Sequence, residues 1–273
     1  MGYFQREKMT NQVTRILCPG DVYVYLVEGS RSAALIDTGF GVGSLRQYVE
    51  SLTDLPVTVL LTHGHLDHAG GAGEFEEVYL NYKDLELARQ HTSIAVRSAG
   101  FCEGKNVHSS FEFVPPKPVE EYLPLTDGQR FELGGMTVTM LELPGHTPGS
   151  MCVLLEELRT MLLGDACNSL GFLQLPGSLS VAEYGRAMKE FAKHEEQFDT
   201  TWYSHPHNFG GKEIIQETIQ LCDEIVSGVR CGIPYGTSDT GKCVLIAREV
   251  DENEHPKDGK TANFIYSPSN ELR

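Results

Sequence analysis

A dense run of metal-ligand residues directly after an apolar segment constrains this chain more than any other feature. The run is residues 61–71, LTHGHLDHAGG, which contains His63, His65, Asp67 and His68. In a chain of this composition, the order H-x-H-x-D-H arises by chance on the order of once in two thousand sequences. The preceding residues 57–62, VTVLLT, predict a strand buried on both faces. A rigid strand end can hold several ligands in place, so the sequence predicts a metal site here.

The spacing of these donors favours two ions rather than one. A catalytic ion of the zinc type takes three protein ligands and keeps one position open for water. The four donors cannot all bind one ion and also leave that position open. We therefore expect His63 and His65 to bind a first ion, and Asp67 and His68 to bind a second. Each ion then needs one further imidazole, and a shared carboxylate would hold the pair together.

Three regions later in the chain offer those groups. His146 lies in the turn LPGHTPG, directly after a predicted strand. Asp165 follows an apolar strand, where a carboxylate is costly unless it is paired or binds a metal. His205 ends a short strand in the sequence WYSHPH, with His207 as its rival. We favour His205 because it follows the strand directly.

Apolar patterning predicts two strand-rich halves, each covered by helices. The predicted strands are 13–18, 22–27, 33–36, 57–62, 130–133, 136–143, 152–155, 160–163, 243–247 and 262–266. The predicted helices are 43–53, 83–98, one that begins at the capping box Ser180-Val-Ala-Glu183, and 211–228, with a long loop at 100–118. These elements predict an α/β fold, a four-layer αββα sandwich. We expect one domain over residues 1–273, with 229–273 as a strand-rich C-terminal extension.

Composition excludes several classes of protein. The formal net charge is −16, which disfavours a nucleic-acid partner, because nucleic-acid binding depends on clustered Lys and Arg. No apolar stretch is long enough to cross a bilayer, and the first residues have no apolar export signal, so we expect a cytoplasmic protein without a membrane partner. Seven cysteines without a C-x-x-C pair indicate reduced core residues rather than a disulfide framework or a zinc ribbon.

From about residue 20 to about residue 228, the sequence resembles the metallo-β-lactamase superfamily. The markers are Leu35-Ile-Asp-Thr-Gly, Thr62-His-Gly-His-Leu-Asp-His, Gly145-His-Thr-Pro-Gly, Gly164-Asp and the strand-end His205. The resemblance implies the αββα sandwich with a dinuclear site between the edges of its two sheets. It implies ligands for the first ion (His63, His65, His146), ligands for the second (Asp67, His68, His205), a bridging Asp165 and an outer aspartate, Asp37, that supports the ligand loop.

In the details of its motifs, the chain most resembles the glyoxalase II-like and lactonase-like hydrolases of the superfamily. True β-lactamases of the superfamily commonly carry a cysteine where Asp165 stands, and flavin-linked di-iron members replace a histidine of the first loop that is intact here as His65. The tail lacks the helical, basic glutathione-binding region of a full glyoxalase II. Serine and proline flank His205, where the family usually has glycine.

We therefore expect a metal-dependent hydrolase that cleaves an ester, thioester or lactone of a small molecule. A hydroxide bridging two divalent ions would attack the carbonyl, and either water or an acid, Asp67 or Asp165, would protonate the leaving group. Zinc is the expected metal, with iron and manganese as alternatives. Substrate contacts are expected from 100–118 with Lys105 and His108, from 170–178 and from 230–240. A homodimer is expected as the assembly.

Three other functions compete with this hypothesis. A persulfide dioxygenase-like oxidoreductase would use a single iron held by His63, His65, His146 and Asp165, and would consume oxygen. A small phosphodiester would also suit the metal chemistry, whereas the net charge disfavours a polymeric one. A non-catalytic metal-binding protein would require the loss of a ligand, and the sequence retains them all.

Overall fold

The computed structural model describes residues 3–102, 111–237, 241 and 243–268. These residues form two compact units. The first comprises Met1–Met140 with Leu155–Glu157, and the second comprises Leu141–Leu154 with Leu158–Arg273. Lys105 and His108, expected to contact substrate, lie outside the described residues, as do 238–240 of the third expected loop.

The first unit contains a seven-stranded sheet whose strands lie side by side in chain order. Its strands are β1 (Gln5–Lys8), β2 (Val13–Cys18), β3 (Val22–Glu28), β4 (Ala33–Ile36), β5 (Val57–Leu60), β6 (Val78–Leu80) and β7 (Leu123–Pro124). Strands β1 to β4 pair antiparallel, and β4 to β7 pair parallel. The carboxyl ends of β4 and β5 therefore lie side by side, with Ile36 opposite Leu60, and these ends lead to Asp37 and to the His63–His68 loop. A hairpin of β8 (Gln129–Glu132) and β9 (Thr137–Glu142) also begins in this unit.

Four α-helices accompany this sheet. They are α1 (Leu45–Glu50), α2 (Leu66–Ala69), α3 (Leu85–His91) and α4 (Ile94–Cys102). The single helix predicted over 83–98 is wrong, because the helix ends at His91 and a new one begins at Ile94. The Thr92 hydroxyl donates to the Ala88 carbonyl and the Ser93 hydroxyl to the Gln90 carbonyl, so side chains compete with the helical hydrogen bonds at this point. The long loop predicted over 100–118 was started too early, because α4 continues to Cys102, and residues 103–110 of that stretch lie outside the described residues.

The second unit contains two groups of strands. Its strands are β10 (Met151–Leu155), β11 (Thr160–Leu162), β12 (Gly171–Leu173), β13 (Thr200–Trp202), β14 (Ile233–Thr237), β15 (Cys243–Ile246) and β16 (Phe264–Tyr266). One group has the order β13-β11-β10, and the other is a four-stranded sheet of order β12-β16-β15-β14. The strands predicted in the C-terminal extension are present as β15 and β16. Strands β12 and β14 were not predicted, and they lie in two stretches that were expected to be loops, 170–178 and 230–240.

Two helices pack on each other within this unit, α5 (Val181–Phe191) and α6 (Ile214–Val226). The predicted capping box is confirmed, because the Ser180 hydroxyl accepts from the Glu183 backbone N–H while the Glu183 carboxylate accepts from the Ser180 backbone N–H. The core between helices and strands includes Val181, Met188 and Leu221. The packing of α5 and α6 on the strands of this unit positions the loops that follow β11 and β13.

The cysteines only partly match their predicted role. All seven are free thiols, and Cys18, Cys152, Cys167 and Cys222 are buried in the two cores. The expectation that all of them fill core positions is wrong for two in the C-terminal extension, which are exposed. Among the described residues, no helix is long and apolar enough to cross a membrane.

Candidate metal centre

The loop after β5 brings four of the predicted ligands together within the first unit. His63, His65 and His68 are buried, and Asp67 is partly exposed. Nε2 of His63 lies 3.0 Å from Nδ1 of His65, and the rings of His63 and His68 have centroids 4.1 Å apart. A carboxylate oxygen of Asp67 lies 3.6 Å from Nε2 of His68. Buried imidazoles packed this closely with a carboxylate form a donor set that suits a divalent transition metal.

Asp37 orients this loop from the end of β4. Its carboxylate accepts from the Thr62 backbone N–H at 2.7 Å and from the Thr62 hydroxyl at 2.8 Å, and Oδ2 also lies 2.8 Å from Nδ1 of His68. A carboxylate is an acceptor, so Nδ1 of His68 carries the proton and the lone pair of the neutral ring is on Nε2. The expected supporting role of Asp37 thus has a direct contact in the structure.

Thr62 sets the tautomer of His63 in the same way as Asp37 sets that of His68. The Thr62 hydroxyl donates its proton to Asp37, so its oxygen accepts from Nδ1 of His63, 3.0 Å away. The lone pair of the neutral His63 ring is therefore on Nε2, the atom that faces Nδ1 of His65. The contacts with Thr62 and Asp37 thus leave Nε2 of His63 and Nε2 of His68 with the lone pairs, and these are the atoms that can bind a metal ion.

Helix α3 and its N-cap residue, Asp84, support the His63–His68 loop through two contacts that were not predicted from the sequence. The buried Asp84 carboxylate accepts from the Gly64 backbone N–H at 3.0 Å. A Cβ at Gly64 would lie 2.9 Å from the Asp84 carbonyl oxygen, so the packing requires glycine there. At the other end of α3, the ring of His91 stacks on His65 with centroids 5.0 Å apart. Burial lowers the pKa of His91, opposed by the negative charges of Asp67 and Asp84, so this ring is neutral at pH 7.

His146 is held by the backbone on both sides within the second unit. Its Nδ1 lies 2.9 Å from the carbonyl oxygen of Phe172, and its own carbonyl accepts from the Ser178 hydroxyl at 2.8 Å. The preceding Gly145 is required by packing, because a Cβ there would lie 2.2 Å from the ring of Tyr184. The predicted glycine turn therefore places a buried imidazole in a fixed orientation.

Asp165 lies between two histidines of the second unit. Its Oδ2 is 3.8 Å from Nε2 of His146 and 3.3 Å from Nε2 of His205. His207, the rival of His205, is exposed and stacks on the His205 ring at a centroid distance of 5.5 Å. The structure therefore groups His146, Asp165 and His205 as a second cluster of donors.

Cys167 stands two positions after Asp165 but does not resemble a thiolate ligand. Burial raises the pKa of its thiol to about 11, although hydrogen bonds with Thr218 and Tyr184 oppose the shift. The side chain lies in the apolar core with Val181 and Phe191. Cys167 is thus a protonated core residue at neutral pH, and the donors near Asp165 are oxygen and nitrogen atoms.

The strand ends of this α/β protein carry two clusters of histidine and aspartate donors, and donors of this kind suit a divalent metal ion. The sequence profile of the Metallo-beta-lactamase superfamily matches residues 19–193, more than half of the chain. This protein therefore belongs to the metallo-β-lactamase superfamily. The family resemblance and the α/β fold of the metallo-β-lactamase type predicted from the sequence are confirmed.

The chain is similar to several named thioesterases. It is 30% identical over 159 residues to the human acyl-coenzyme A thioesterase MBLAC2, a match that covers 52% of this chain and 57% of the relative. It is 28% identical over 209 residues to the atrochrysone carboxyl ACP thioesterase of Claviceps purpurea, which covers 72% of this chain and 57% of the relative. The chain thus spans less than two thirds of the length of these relatives.

Solved structures show the same fold at low sequence identity. The sec-alkylsulfatase Pisa1 from Pseudomonas sp. has a TM-score of 0.62 at 14% identity, covering 82% of this chain and 42% of Pisa1. The metallo-β-lactamase FIM-1 from Pseudomonas aeruginosa, in its mono-zinc form, has a TM-score of 0.58 at 17% identity, covering 82% of this chain and 96% of FIM-1. At these identities the likeness concerns the fold alone.

Proposed function

We propose that this chain hydrolyses the thioester bond of a small acyl substrate, using two divalent metal ions. The observation that carries the proposal is the full set of seven donors, grouped as four in the first unit and three in the second. The thioesterase names of two relatives favour a thioester over the other expected substrates, esters and lactones.

The proposed ligand sets follow the donor chemistry. His63, His65 and His146 would hold one ion, Asp67, His68 and His205 would hold the other, and Asp165 would bridge them. Zinc is the proposed metal, because imidazole and carboxylate ligands suit it, with iron or manganese as alternatives. When bound, two such ions lower the pKa of a shared water towards neutrality and polarise a substrate carbonyl.

The protein's own residues orient the donors and handle the proton. Asp37 and the Phe172 carbonyl each accept from the Nδ1–H of a histidine, and so direct Nε2 of His68 and of His146 away from these supports. Asp67 is proposed to take the proton of the attacking water, because its side chain is 22% exposed whereas that of Asp165 is 9% exposed. Asp165 is the alternative for this step.

The leaving group explains why a thioester suits this site. A thiol is a much stronger acid than an alcohol, with a pKa of about 8.5 in the case of cysteine, so a thiolate departs with less assistance from a general acid. Returning the proton to sulfur after the C–S bond breaks is then sufficient, and Asp67 can do this. An alkoxide leaving group would need a proton while the C–O bond breaks. This requires a general acid within hydrogen-bond distance of the leaving oxygen.

The experiment is a thiol-release assay on acyl-coenzyme A esters of increasing chain length, combined with metal analysis. Asp165→Ala should reduce hydrolysis by more than about 100-fold, beyond the usual loss for outer partners of a ligand, and should lower the bound metal. Asp199→Ala is the matched control, because Asp199 is an exposed aspartate of the same unit that pairs with Arg159. Thiol release that is equal in Asp165→Ala and in the wild type would contradict the proposal. One iron per chain with thiol-dependent oxygen uptake would instead support the dioxygenase alternative.

The remaining sequence predictions form part of this proposal. They are a single domain over 1–273 with 229–273 as an extension, a cytoplasmic location, and assembly as a homodimer. Sedimentation equilibrium measures the assembly and cell fractionation measures the location. Limited proteolysis tests the single domain, since one cooperative domain should resist cleavage near residue 229.

A further inference from the structure

Strand β16, the last strand among the described residues, is connected by hydrogen bonds and packing to the segment that orients His146. This argument depends on the proposed role of His146 as a metal ligand. The C-terminal extension lies beyond the residues that the family profile matches, 19–193, and the mechanism above assigns it no part. The contacts that join it to His146 all lie within the second unit.

The first step is the ring of His146. A backbone carbonyl only accepts hydrogen bonds, so the 2.9 Å contact with Phe172 requires the proton of the neutral imidazole to be on Nδ1. Nε2 then has the lone pair, and this is the nitrogen that faces Asp165 at 3.8 Å. The Phe172 carbonyl thus sets both the tautomer and the direction of the ring.

The second step is what holds the Phe172 carbonyl. Phe172 is the middle residue of β12, which has only three residues and lies at the edge of its sheet, next to β16. The register pairs Phe172 with Ile265, and the Gly171 backbone N–H donates to the Asn263 carbonyl at 2.9 Å. The strand that carries the acceptor therefore depends on β16 for its position.

The third step is what holds β16. The Asn263 side chain is buried; its Oδ1 accepts from the Arg248 backbone N–H at 2.9 Å and its Nδ2 donates to the Arg248 carbonyl at 3.1 Å. Ile265 packs in a small apolar cluster with Leu170, Phe172, Val244 and Ile246. Two side-chain hydrogen bonds and an apolar cluster thus hold β16 in the place where β12 pairs with it.

We propose that the C-terminal extension is a positioning element of the metal centre, and that β16 fixes the tautomer and orientation of His146 through β12. Asn263 and Ile265 are its positioning residues, since both act through Phe172 and neither is proposed to touch metal or substrate. Loss of this support should weaken zinc binding while the first unit remains intact.

Gly171 offers a matched pair of variants. Gly171→Pro removes the N–H that bonds Asn263, whereas Gly171→Ala keeps it, and the added Cβ would lie 3.4 Å from Cβ of Phe264, an ordinary contact distance. Zinc affinity is measured in the full-length protein by competition with a chelator. Gly171→Pro should weaken the affinity by about 10- to 100-fold, whereas Gly171→Ala should leave it within about twofold.

A second pair covers the case in which Gly171→Pro does not fold. Ile265→Ala removes apolar atoms from the cluster that packs against Phe172 and removes no polar group. Ile16→Ala removes the same number of side-chain atoms from the buried strand β2 of the first unit. Both should lower the unfolding midpoint, but only Ile265→Ala should weaken zinc binding. A spectroscopic readout accompanies them: ¹⁵N spectra of the zinc-free protein should show His146 as the Nδ1–H tautomer in the wild type and as a tautomer mixture in Ile265→Ala.

The outcomes separate this inference from the proposed function. Folded Ile265→Ala with wild-type zinc affinity and an unchanged His146 tautomer would overturn the inference, even if the enzyme hydrolyses thioesters. An equal loss of zinc affinity in Ile16→Ala would overturn it as well, because the effect would then be one of general stability. A tautomer change and weaker zinc binding confined to Ile265→Ala and Gly171→Pro would support it, whichever substrate the enzyme cleaves.

Discussion

Oδ2 of Asp37 lies 2.8 Å from Nδ1 of His68, thirty-one positions later in the chain. Asp37 adopts a φ of 64°, in the left-handed region that non-glycine residues seldom occupy. Both residues are almost fully buried. A strained backbone conformation is thus retained at the end of β4, where it directs a carboxylate at the ligand loop.

Asp37→Asn is expected to weaken zinc binding by about 10- to 100-fold. The amide keeps one acceptor oxygen, but its NH₂ group cannot accept from both the Thr62 hydroxyl and Nδ1–H of His68 as the Oδ2 atom does. Unfolding in urea should show a loss of about 1–3 kcal/mol from the unsatisfied buried donor. Asp21→Asn is the matched control, because Asp21 also has a positive φ of 59° but is exposed. A similar loss of zinc affinity in both variants would contradict the prediction.

Much of the fold follows from local sequence pattern. Strand β2 has the predicted bounds, since its apolar residues are bounded by Pro19-Gly20. The same is true of β4, and the capping box placed the start of α5 correctly. These elements depend on residues close together in the chain, and so a single sequence is sufficient to predict them.

The supports of the candidate site could not be predicted in this way. Asp84 meets Gly64 only because α3 packs against the ligand loop, and His91 reaches His65 only because α3 ends where it does. Strand β12 has three residues and is paired by a strand about ninety positions later, so no local pattern predicts it. The ligands have a recognisable spacing, whereas their supports are defined by tertiary contacts.

His205 rather than His207 is expected to be the last ligand. Nε2 of His205 lies 3.3 Å from Asp165, whereas His207 is exposed and contacts the outer face of the His205 ring. His205→Ala should remove one of two zinc equivalents and most of the thioester hydrolysis, because it deletes a donor. His207→Ala should retain both, with a change of less than about threefold, since the ring it removes is exposed and its stack on His205 is worth about 1 kcal/mol. Metal analysis and thiol release on the two purified variants measure this, and the reverse order of effects would refute it.

Arg97 is expected to be a major contributor to the stability of the first unit. Its side chain is completely buried and donates to the carbonyls of Thr92, Phe40, Gly70 and Val114, at 2.6–3.1 Å. Burial lowers its pKa, but the guanidinium stays charged at neutral pH. Arg97→Met leaves these buried carbonyls without their donor, so the free energy of unfolding should fall by more than about 3 kcal/mol.

Arg97→Lys should recover only part of that loss, because an ammonium group cannot reproduce the planar fork that spans four carbonyls. Arg46→Met is the control, since Arg46 is an exposed arginine of the same unit that pairs with Glu50 and should change stability by less than about 1 kcal/mol. Urea unfolding of the three variants measures the series. Equal stability of Arg97→Met and Arg46→Met would show that the buried guanidinium does not hold these loops.

Glu217 of α6 ties the segment before β16 to the second unit. Its Oε2 accepts from the Thr261 backbone N–H at 2.7 Å and from the Ala262 backbone N–H at 3.1 Å, and Lys260 lies 3.4 Å from Oε1. Burial alone would raise the pKa of Glu217, but the bonds from Ala262, Thr261 and Lys260 outweigh it, and the pKa is lowered. The folded state therefore favours the ionised carboxylate.

A lowered pKa in the folded state makes this contribution depend on pH in one direction. The stabilisation is complete above the unfolded pKa of glutamate, about 4.3, and is lost as the pH falls through the lower folded value. Glu217→Gln should therefore be less stable than the wild type at pH 6 to 7, and the difference should shrink as the pH falls below about 4. Glu196→Gln, at an exposed glutamate of the same unit, should show little difference at any pH. Urea unfolding of the three proteins across this pH range measures the effect, and a gap between Glu217→Gln and the wild type that stayed constant or widened towards low pH would contradict it.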